Sequence, residues 1–291
     1  MTHAGFRQWN PGKTFEPDRV HRFGHKAMHT LFEIWVDHED ATYASQAAHE
    51  AFTVLDALEQ QFSRFIPNSD ISRLNQAAVG QSVILGEETF RCLQLSLDMN
   101  GETGGLFDIS LGSGSNALKL DPSTQTGTKT DSRLTLDLGG IGKGFAVDVM
   151  KEVLVDWEIE SAFIHGGASS VYALGSTRQN SGWPITLSDP WHKDIPKDSY
   201  ELADRAMGSS GLGKGPHIVN PHSGKPVREA RAVWTCGPDA TSTDALSTAF
   251  MMMDLDQIEA YCQHNPDIQG LVLIKEKNET TTRHAFGHWR V

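Results

Sequence analysis

At 291 residues the chain can bury a sizeable core, as one large domain or two small ones. Its 25 Lys and Arg against 37 Asp and Glu leave a net charge of −12, which argues against a general nucleic-acid or anionic-membrane surface. An acidic protein that handles phosphates must therefore concentrate its cations locally or borrow a metal ion.

Cys92, Cys236 and Cys262 are an odd number with no C-x-x-C pair, so neither a disulfide framework nor a structural zinc site is expected; they read as reduced and buried. The first residues, MTHAGFRQWNPGKTFEPDRV, contain no apolar core of about 7–15 residues and no cleavage pattern, so no signal peptide is expected. No apolar run reaches about 18 residues, so no membrane span is expected either. The chain reads as cytoplasmic, or as the mature form of an exported protein.

Residues 1–25 read as a polar, loop-like N-terminal extension, followed by a single domain over 26–291. His21, His25 and His29 lie four apart and would align on a helix, but Gly24 and the strand that follows speak against a metal site there. "LFEIWV" (31–36) reads as that strand. From Ala44, the apolar positions Ala48, Ala51, Leu55, Leu58 and Phe62 recur at steps of three and four, predicting an amphipathic helix that Pro67 and Asn68 end. Phe90, Leu93 and Leu97 predict a second helix, closed by Gly101 and the "TGGLFD" turn. Residues 112–131 have the Ser, Thr and Gly content of an exposed excursion, after which "SRLTLDL" (132–138) resumes as a strand.

A helix over 145–156, short strands at "SAFIHGG" and "SVYALG", and a strand at "WPITLSD" follow. Residues 190–205 read as a polar, mobile segment, and "HIVNPHSGKPV" (217–227) as a turn. "RAVWTCG" predicts a strand, "TSTDALSTAFMMM" a helix with Ser242 or Thr243 as N-cap, and "DQIEAYCQH" another helix. "QGLVLIKEKNETTTRHAFG" closes as a hairpin with Asn278 near its turn. Helices and strands interleave without a regular βα repeat, so an α+β sandwich is expected rather than a doubly wound sheet.

The stretch richest in chemistry is "LDLGGIGKGFAVD" (136–148). A Walker-type loop fails because Gly144, not Ser or Thr, follows Lys143. The dinucleotide fingerprint fails because Gly140, Gly142 and Gly144 are spaced two and two. What survives is a glycine turn that lets backbone approach a ligand and feeds a helix N-terminus that favours anions, or else a plain turn with no ligand.

Further along, Asp244 and Thr248 are four apart on one helix face. A carboxylate and a hydroxyl are hard oxygen ligands suited to magnesium with substrate phosphates; the alternative is an Asp that complements the helix dipole. His217, in a turn flanked by Gly and Pro, is either a general base near neutral pH or a structurally bonded histidine. Lys143 either meets a phosphate or is solvated.

The order of these pieces is more specific than any one of them. A Met followed by a strand, S-R-F-x-P-x-S-x-x-S-x-L-N, G-G-x-F-D, D-L-G-G-I-x-K-G-x-A-V-D, G-G, H-I-x-x-P-x-S-G and T-D-A-L-S-T-A-F run in sequence. The chain resembles the ApbE-like FAD:protein FMN transferases from about residue 26 to 287.

That resemblance implies an α+β domain of mixed and antiparallel sheets packed with helices, with the FAD site between two lobes. It implies Mg²⁺-dependent transfer of FMN from FAD to a Ser or Thr hydroxyl of an acceptor flavoprotein, with release of AMP. Magnesium ligation would fall to Asp244, Thr248 and the Gly140 carbonyl, and flavin and nucleotide contacts to Met28, Phe65, Leu106, Phe107, Asp108, Asp137, Lys143 and Val219. His217 matches the family histidine that is a candidate base for the acceptor hydroxyl, and Asp244 is counted with it as catalytic. The chain departs from the family in Phe65 for Tyr, His29 for Gly, Asn220 for Asp and a shorter 108–137 stretch. A FAD pyrophosphatase and a non-catalytic FAD-binding protein are the alternative functions.

Overall fold

The computed structural model describes residues 19–188, 191, 196–211, 218–227, 229–276 and 280–289. The described chain opens on a hairpin of β1 (Val20–Ala27) and β2 (Thr30–Asp37), turned at Met28 and His29 with φ of 50° and 57°. Two successive left-handed residues form the tight turn whose twist suits a two-residue hairpin. Residues 20–25, expected as loop, are thus strand. β1 lies at the sheet edge with half-buried side chains, so its polar composition is compatible with pairing.

α1 (Ala41–Phe62) starts where the Asp40 carboxylate accepts the N–H groups of Thr42 and Tyr43. It buries Ala44, Ala48, Ala51, Leu55, Leu58 and Phe62, the stripe its spacing predicts. The break at Pro67 holds, yet Ser69 then caps a short helix, α2 (Asp70–Gln76), hidden by turn-like composition. β3 (Ser82–Ile84) and α3 (Glu87–Glu102) follow.

Residues 112–131, expected as an exposed excursion, are exposed or half-buried at most positions and carry two strands of their own. β4 (Leu118–Asp121) and β5 (Thr126–Lys129) pair antiparallel, and β5 also pairs with β3, forming a three-stranded sheet with one largely exposed face. The predicted strand 132–138, by contrast, does not form. Leu136 instead exchanges both backbone hydrogen bonds with the Asn75 side-chain amide, at 2.7 and 3.0 Å, and Asp137 N–H bonds the Ile109 carbonyl. A side chain has taken the place of a partner strand.

α4 (Gly142–Asp156), β6 (Ala162–Gly166), β7 (Ser170–Leu174) and β8 (Trp183–Ser188) fall on the predicted segments. The 190–205 segment is overturned where it is described, for it supplies β9 (Pro196–Leu202) and the start of β10 (Arg205–Gly211). β10 reads as a polar glycine segment because it must touch a helix: a Cβ on Gly208 would lie 2.2 Å from the Thr243 carbonyl oxygen.

β11 (Arg231–Gly237) leads into α5 (Ala240–Phe250), then α6 (Leu255–His264) and the hairpin of β12 (Gln269–Lys275) and β13 (Thr281–Phe286). Asn278 lies outside the described residues. The N-cap of α5 is Asp239, not Ser242 or Thr243. Asp239 is extended and accepts the Ser242 N–H at 2.7 Å, whereas the Thr243 hydroxyl donates back to the Asp239 carbonyl at 3.1 Å.

Eight strands form one antiparallel sheet in the order β1-β2-β6-β7-β10-β11-β12-β13. Alternation along each strand divides it between two cores. Phe32, Ile34, Val36 and Val233 face α1, α4 and α5, while Trp35, Phe163, Trp234 and Leu271 pack under the β8–β9 hairpin with Trp183 and Ile185. The α+β expectation is met, as is that for the cysteines, all three free and buried. Among the described residues no helix is long and apolar enough to cross a membrane.

Candidate functional site

The site forms where α4 and α5 meet without intervening side chains. A Cβ on Gly144 would lie 2.1 Å from the Ala240 carbonyl oxygen and 2.7 Å from Asp244 Cβ, so only glycine permits this contact. One turn further along α4, the Asp148 carboxylate accepts Ala240 N–H and Thr241 N–H, each at 2.8 Å, and the Thr241 hydroxyl at 2.5 Å. Asp148 therefore caps α5 from a neighbouring helix, satisfying N–H groups that the first turn leaves free. Burial, and then the nearby Asp239 carboxylate, push Asp148 up to about 6 against those donors.

This docking brings Asp244 to the start of α4. Its Oδ2 accepts Gly144 N–H at 3.1 Å and lies 3.5 Å from Lys143 Nζ, which also donates to the Gly139 carbonyl at 3.2 Å. Asp244 is 3% exposed, and burial raises its pKa above the ordinary carboxylate value, opposed by the Lys143 ammonium, the Gly144 N–H and the Ser170 hydroxyl. Because α5 begins at Ala240, Asp244 sits beyond the first turn, where dipole complementation alone gives little reason for a buried acid.

Thr248 follows one turn later, and Gly140 faces it, a Cβ there falling 3.7 Å from Thr248 Oγ1 and 3.3 Å from the Phe107 ring. Gly140, Lys143, Asp244 and Thr248, predicted from segments about a hundred residues apart, are thus neighbours.

The donors here are one buried carboxylate, a hydroxyl and backbone carbonyls. Among the described residues no group of three or more His, Cys, Asp or Glu side chains could hold a metal, the His21–His25–His29 series included. His25 instead meets Asp56 at 2.7 Å and stacks on Phe52. A single carboxylate with neutral oxygens fits magnesium, which binds through one or two carboxylates together with substrate phosphates, better than a tightly caged ion.

The rim is built from the segment after α1. Arg64 pairs with Asp137 at 3.0 Å and its guanidinium lies 4.9 Å over the Phe65 ring, while the other Asp137 oxygen accepts Gly139 N–H at 2.8 Å. Phe65 is 71% exposed, an aromatic face held at a fixed place without a hydrophobic partner to cover it. His29 meets its edge at 6.4 Å. Met28 N–H donates to Glu59 on α1 at 2.8 Å. His29, like Met28, has a left-handed backbone, a conformation that glycine takes freely and histidine at modest cost.

Not every predicted contact points the same way. The Asp108 carboxylate is occupied by Ser110 N–H at 2.8 Å, the Ser110 hydroxyl at 2.7 Å and the Ser115 hydroxyl, so it holds its own loop. Leu106 and Phe107 are buried, and Phe107 forms the wall behind Gly140. Val219, half exposed, bridges to Pro226 in a turn whose Asn220 side chain accepts the N–H groups of His222 and Ser223. An aspartate would accept the same pair, so the departure at 220 leaves the turn intact. His217 lies outside the described residues.

Sequence reasoning missed the hydroxyls beside Thr248, namely Ser210 on β10 and Ser247 on α5, and His222, whose Nε2 approaches Gly105. The hydroxyl density of "TSTDALST" was the available signal for Ser247; Ser210 fell in a segment with no predicted element.

Against known proteins, the ApbE family model matches residues 28–272. The FAD:protein FMN transferase of Vibrio cholerae is 22% identical over 297 positions, covering 89% of this chain and 88% of that protein. The enzyme of that name from Treponema pallidum is 24% identical, covering 79% and 78%. Among solved structures, the flavin transferase ApbE from Vibrio cholerae superposes with a TM-score of 0.82 at 20% identity, over 92% of this chain and 97% of that one. The apo flavinyl transferase ApbE of Pseudomonas stutzeri gives 0.81 at 20% identity, over 92% and 95%. With the family model spanning most of its length and the same fold in these structures, the chain belongs to the ApbE family.

Proposed function

We propose that this protein transfers the FMN moiety of FAD to a Ser or Thr hydroxyl of an acceptor flavoprotein, in a magnesium-dependent reaction that releases AMP. The observation that carries this reading is the meeting of Gly140, Lys143, Asp244 and Thr248 at the α4–α5 junction, in a chain whose relatives bear the name FAD:protein FMN transferase.

Asp244, Thr248 and the Gly140 carbonyl would hold the magnesium ion. Such an ion would supply positive charge to the diphosphate and to the transition state of phosphoryl transfer. Lys143, shared between Asp244 and the Gly139 carbonyl, would offer its ammonium to the diphosphate, and the N-terminal end of α4, where Ile141 makes no side-chain capping bond, would add the favourable end of its dipole. Phe65 supplies an aromatic face for the cofactor's rings, with Arg64 and Asp137 holding it to the glycine loop. Met28, Leu106, Phe107 and Val219 wall the pocket, and Asp108 serves it through the loop it orders. His217 takes the proton of the acceptor hydroxyl as that oxygen bonds to phosphorus and the bond to the AMP oxygen breaks.

Incubation with FAD, Mg²⁺ and an acceptor flavoprotein tests the reading. Covalent flavin on the acceptor with stoichiometric AMP is expected. FMN and AMP with no labelled acceptor would make the protein a pyrophosphatase, and intact FAD would make it a carrier. His217→Ala should slow transfer while leaving FAD affinity unchanged.

A further inference from the structure

We propose that Ser210 and Ser247 form a hydroxyl relay that turns the Thr248 proton away from the site and presents its lone pairs to the cation. The proposal rests on the metal reading of Asp244 and Thr248. It follows from counting protons, because a Ser or Thr hydroxyl has one to donate. Ser247 spends its proton on the Asp244 backbone carbonyl at 2.8 Å. It can then only accept from Ser210, 2.9 Å away.

With the Ser210 proton committed to Ser247, the 3.4 Å approach of Thr248 to Ser210 leaves Thr248 as the donor. The other acceptor within its reach, the Asp244 carbonyl, is also at 3.4 Å. That carbonyl already accepts the Ser247 hydroxyl at 2.8 Å, so Ser210 on β10 is the acceptor with a lone pair to spare, and it directs the Thr248 proton back into the fold. A hydroxyl that binds a cation must do so through a lone pair, and an outward proton would oppose the ion. Partners behind a ligand set its orientation in this way at metal sites generally.

The relay depends on strand placement. Gly208 lets β10 approach the Thr243 carbonyl of α5 with no room for a Cβ, and two residues on, Ser210 meets Ser247. Ser247 is fully buried and Ser210 partly so, which makes Ser210 the milder position to alter. Both are positioning residues; neither is assigned to the ion itself.

The test is Mn²⁺ titration of the full-length protein with FAD, followed by electron paramagnetic resonance, with thermal unfolding recorded for each variant. Ser210→Ala should weaken Mn²⁺ binding on the order of tenfold with an unchanged thermal midpoint. Ser247→Ala should weaken it as well, because Ser210, robbed of its acceptor, then donates to Thr248. Ser210→Thr should restore wild-type affinity, and the double alanine variant should be no weaker than the weaker single one. Equal Mn²⁺ affinity in wild type and Ser210→Ala overturns the relay. A loss in Ser210→Thr as large as in Ser210→Ala overturns it too, since packing rather than the hydroxyl would then be responsible. A wild-type protein that binds no Mn²⁺ overturns the metal reading beneath it, a result distinct from either.

Discussion

Asp148→Ala and Asp148→Asn separate the hydrogen bonds of this buried carboxylate from its charge. Three donors converge on it, two backbone N–H groups and the Thr241 hydroxyl. Leaving a buried donor unpaired costs about 1–3 kcal/mol, so orphaning all three costs about 3 kcal/mol or more. The rise from 3.8 to about 6, which already includes these bonds, corresponds to about 3 kcal/mol at neutral pH and belongs to the pH dependence. Asp148→Ala should therefore destabilise the protein by about 3 kcal/mol, a fall of roughly 5–10 °C in thermal midpoint.

Asp148→Asn removes the charge and its titration while turning one acceptor oxygen into an NH₂ donor, so its signature lies in the pH profile rather than in the absolute stability. Because the native value of about 6 exceeds the ordinary 3.8, the folded chain binds this proton more tightly than the unfolded one. The associated stability is complete below about pH 4 and is lost as the pH rises through about 6. Urea denaturation at half-unit steps should then show wild type losing about 3 kcal/mol relative to Asp148→Asn between pH 4 and pH 7. Parallel profiles for the two proteins would refute the assignment of that proton to Asp148.

Asp244→Asn should abolish metal-dependent release of AMP from FAD, by a factor on the order of 10³ or more, while leaving the fold as stable as before or more so, because a buried charge is removed; full turnover would sink the metal role. In wild type, Mn²⁺ affinity should rise with pH above the ordinary carboxylate range, since burial raises the Asp244 pKa and the ion needs the carboxylate; a titration flat in pH contradicts this. Gly144→Ala places a methyl 2.1 Å from the Ala240 oxygen, and should cost about 3 kcal/mol or force α5 away, seen as loss of Mn²⁺ binding with FAD. Arg64→Ala should weaken FAD binding by about 1 kcal/mol, roughly fivefold by fluorescence quenching, with stability changed by less than about 0.5 kcal/mol; unchanged affinity would remove the rim from recognition.

What was legible in the sequence were the segments whose side chains declare their own burial. α1, α3, α6 and β11 each carry an apolar pattern with one period, and the structure places them where that pattern predicts. β1, β9 and β10 were not legible, because an edge strand, a surface hairpin and a strand pressed against a helix have little need of apolar alternation. The stretch at 132–138 had the alternation but not the partner, since pairing is a property of what lies beside a segment; Asn75 lies there instead.

At the site, the motif order pointed to Gly140, Lys143, Asp244 and Thr248, which the fold brings together. It could not show that Asp148, left without a role by sequence alone, is the brace between the two helices, for its donors, two of them backbone groups, lie some 90 residues away. Nor could it show that Asp108 is consumed by its own loop.

The two glycines that touch α5 from opposite neighbours, Gly144 on α4 and Gly208 on β10, leave this helix no slack. It can neither slide nor rotate without driving its own carbonyls into another main chain. In the proposed function, any accommodation of FAD would then fall to the Arg64–Phe65 rim and the 218–227 turn, with α5 as the fixed reference. Such a division of labour should be visible in amide exchange, with α5 among the last segments to trade its protons for deuterium whether or not the pocket is filled.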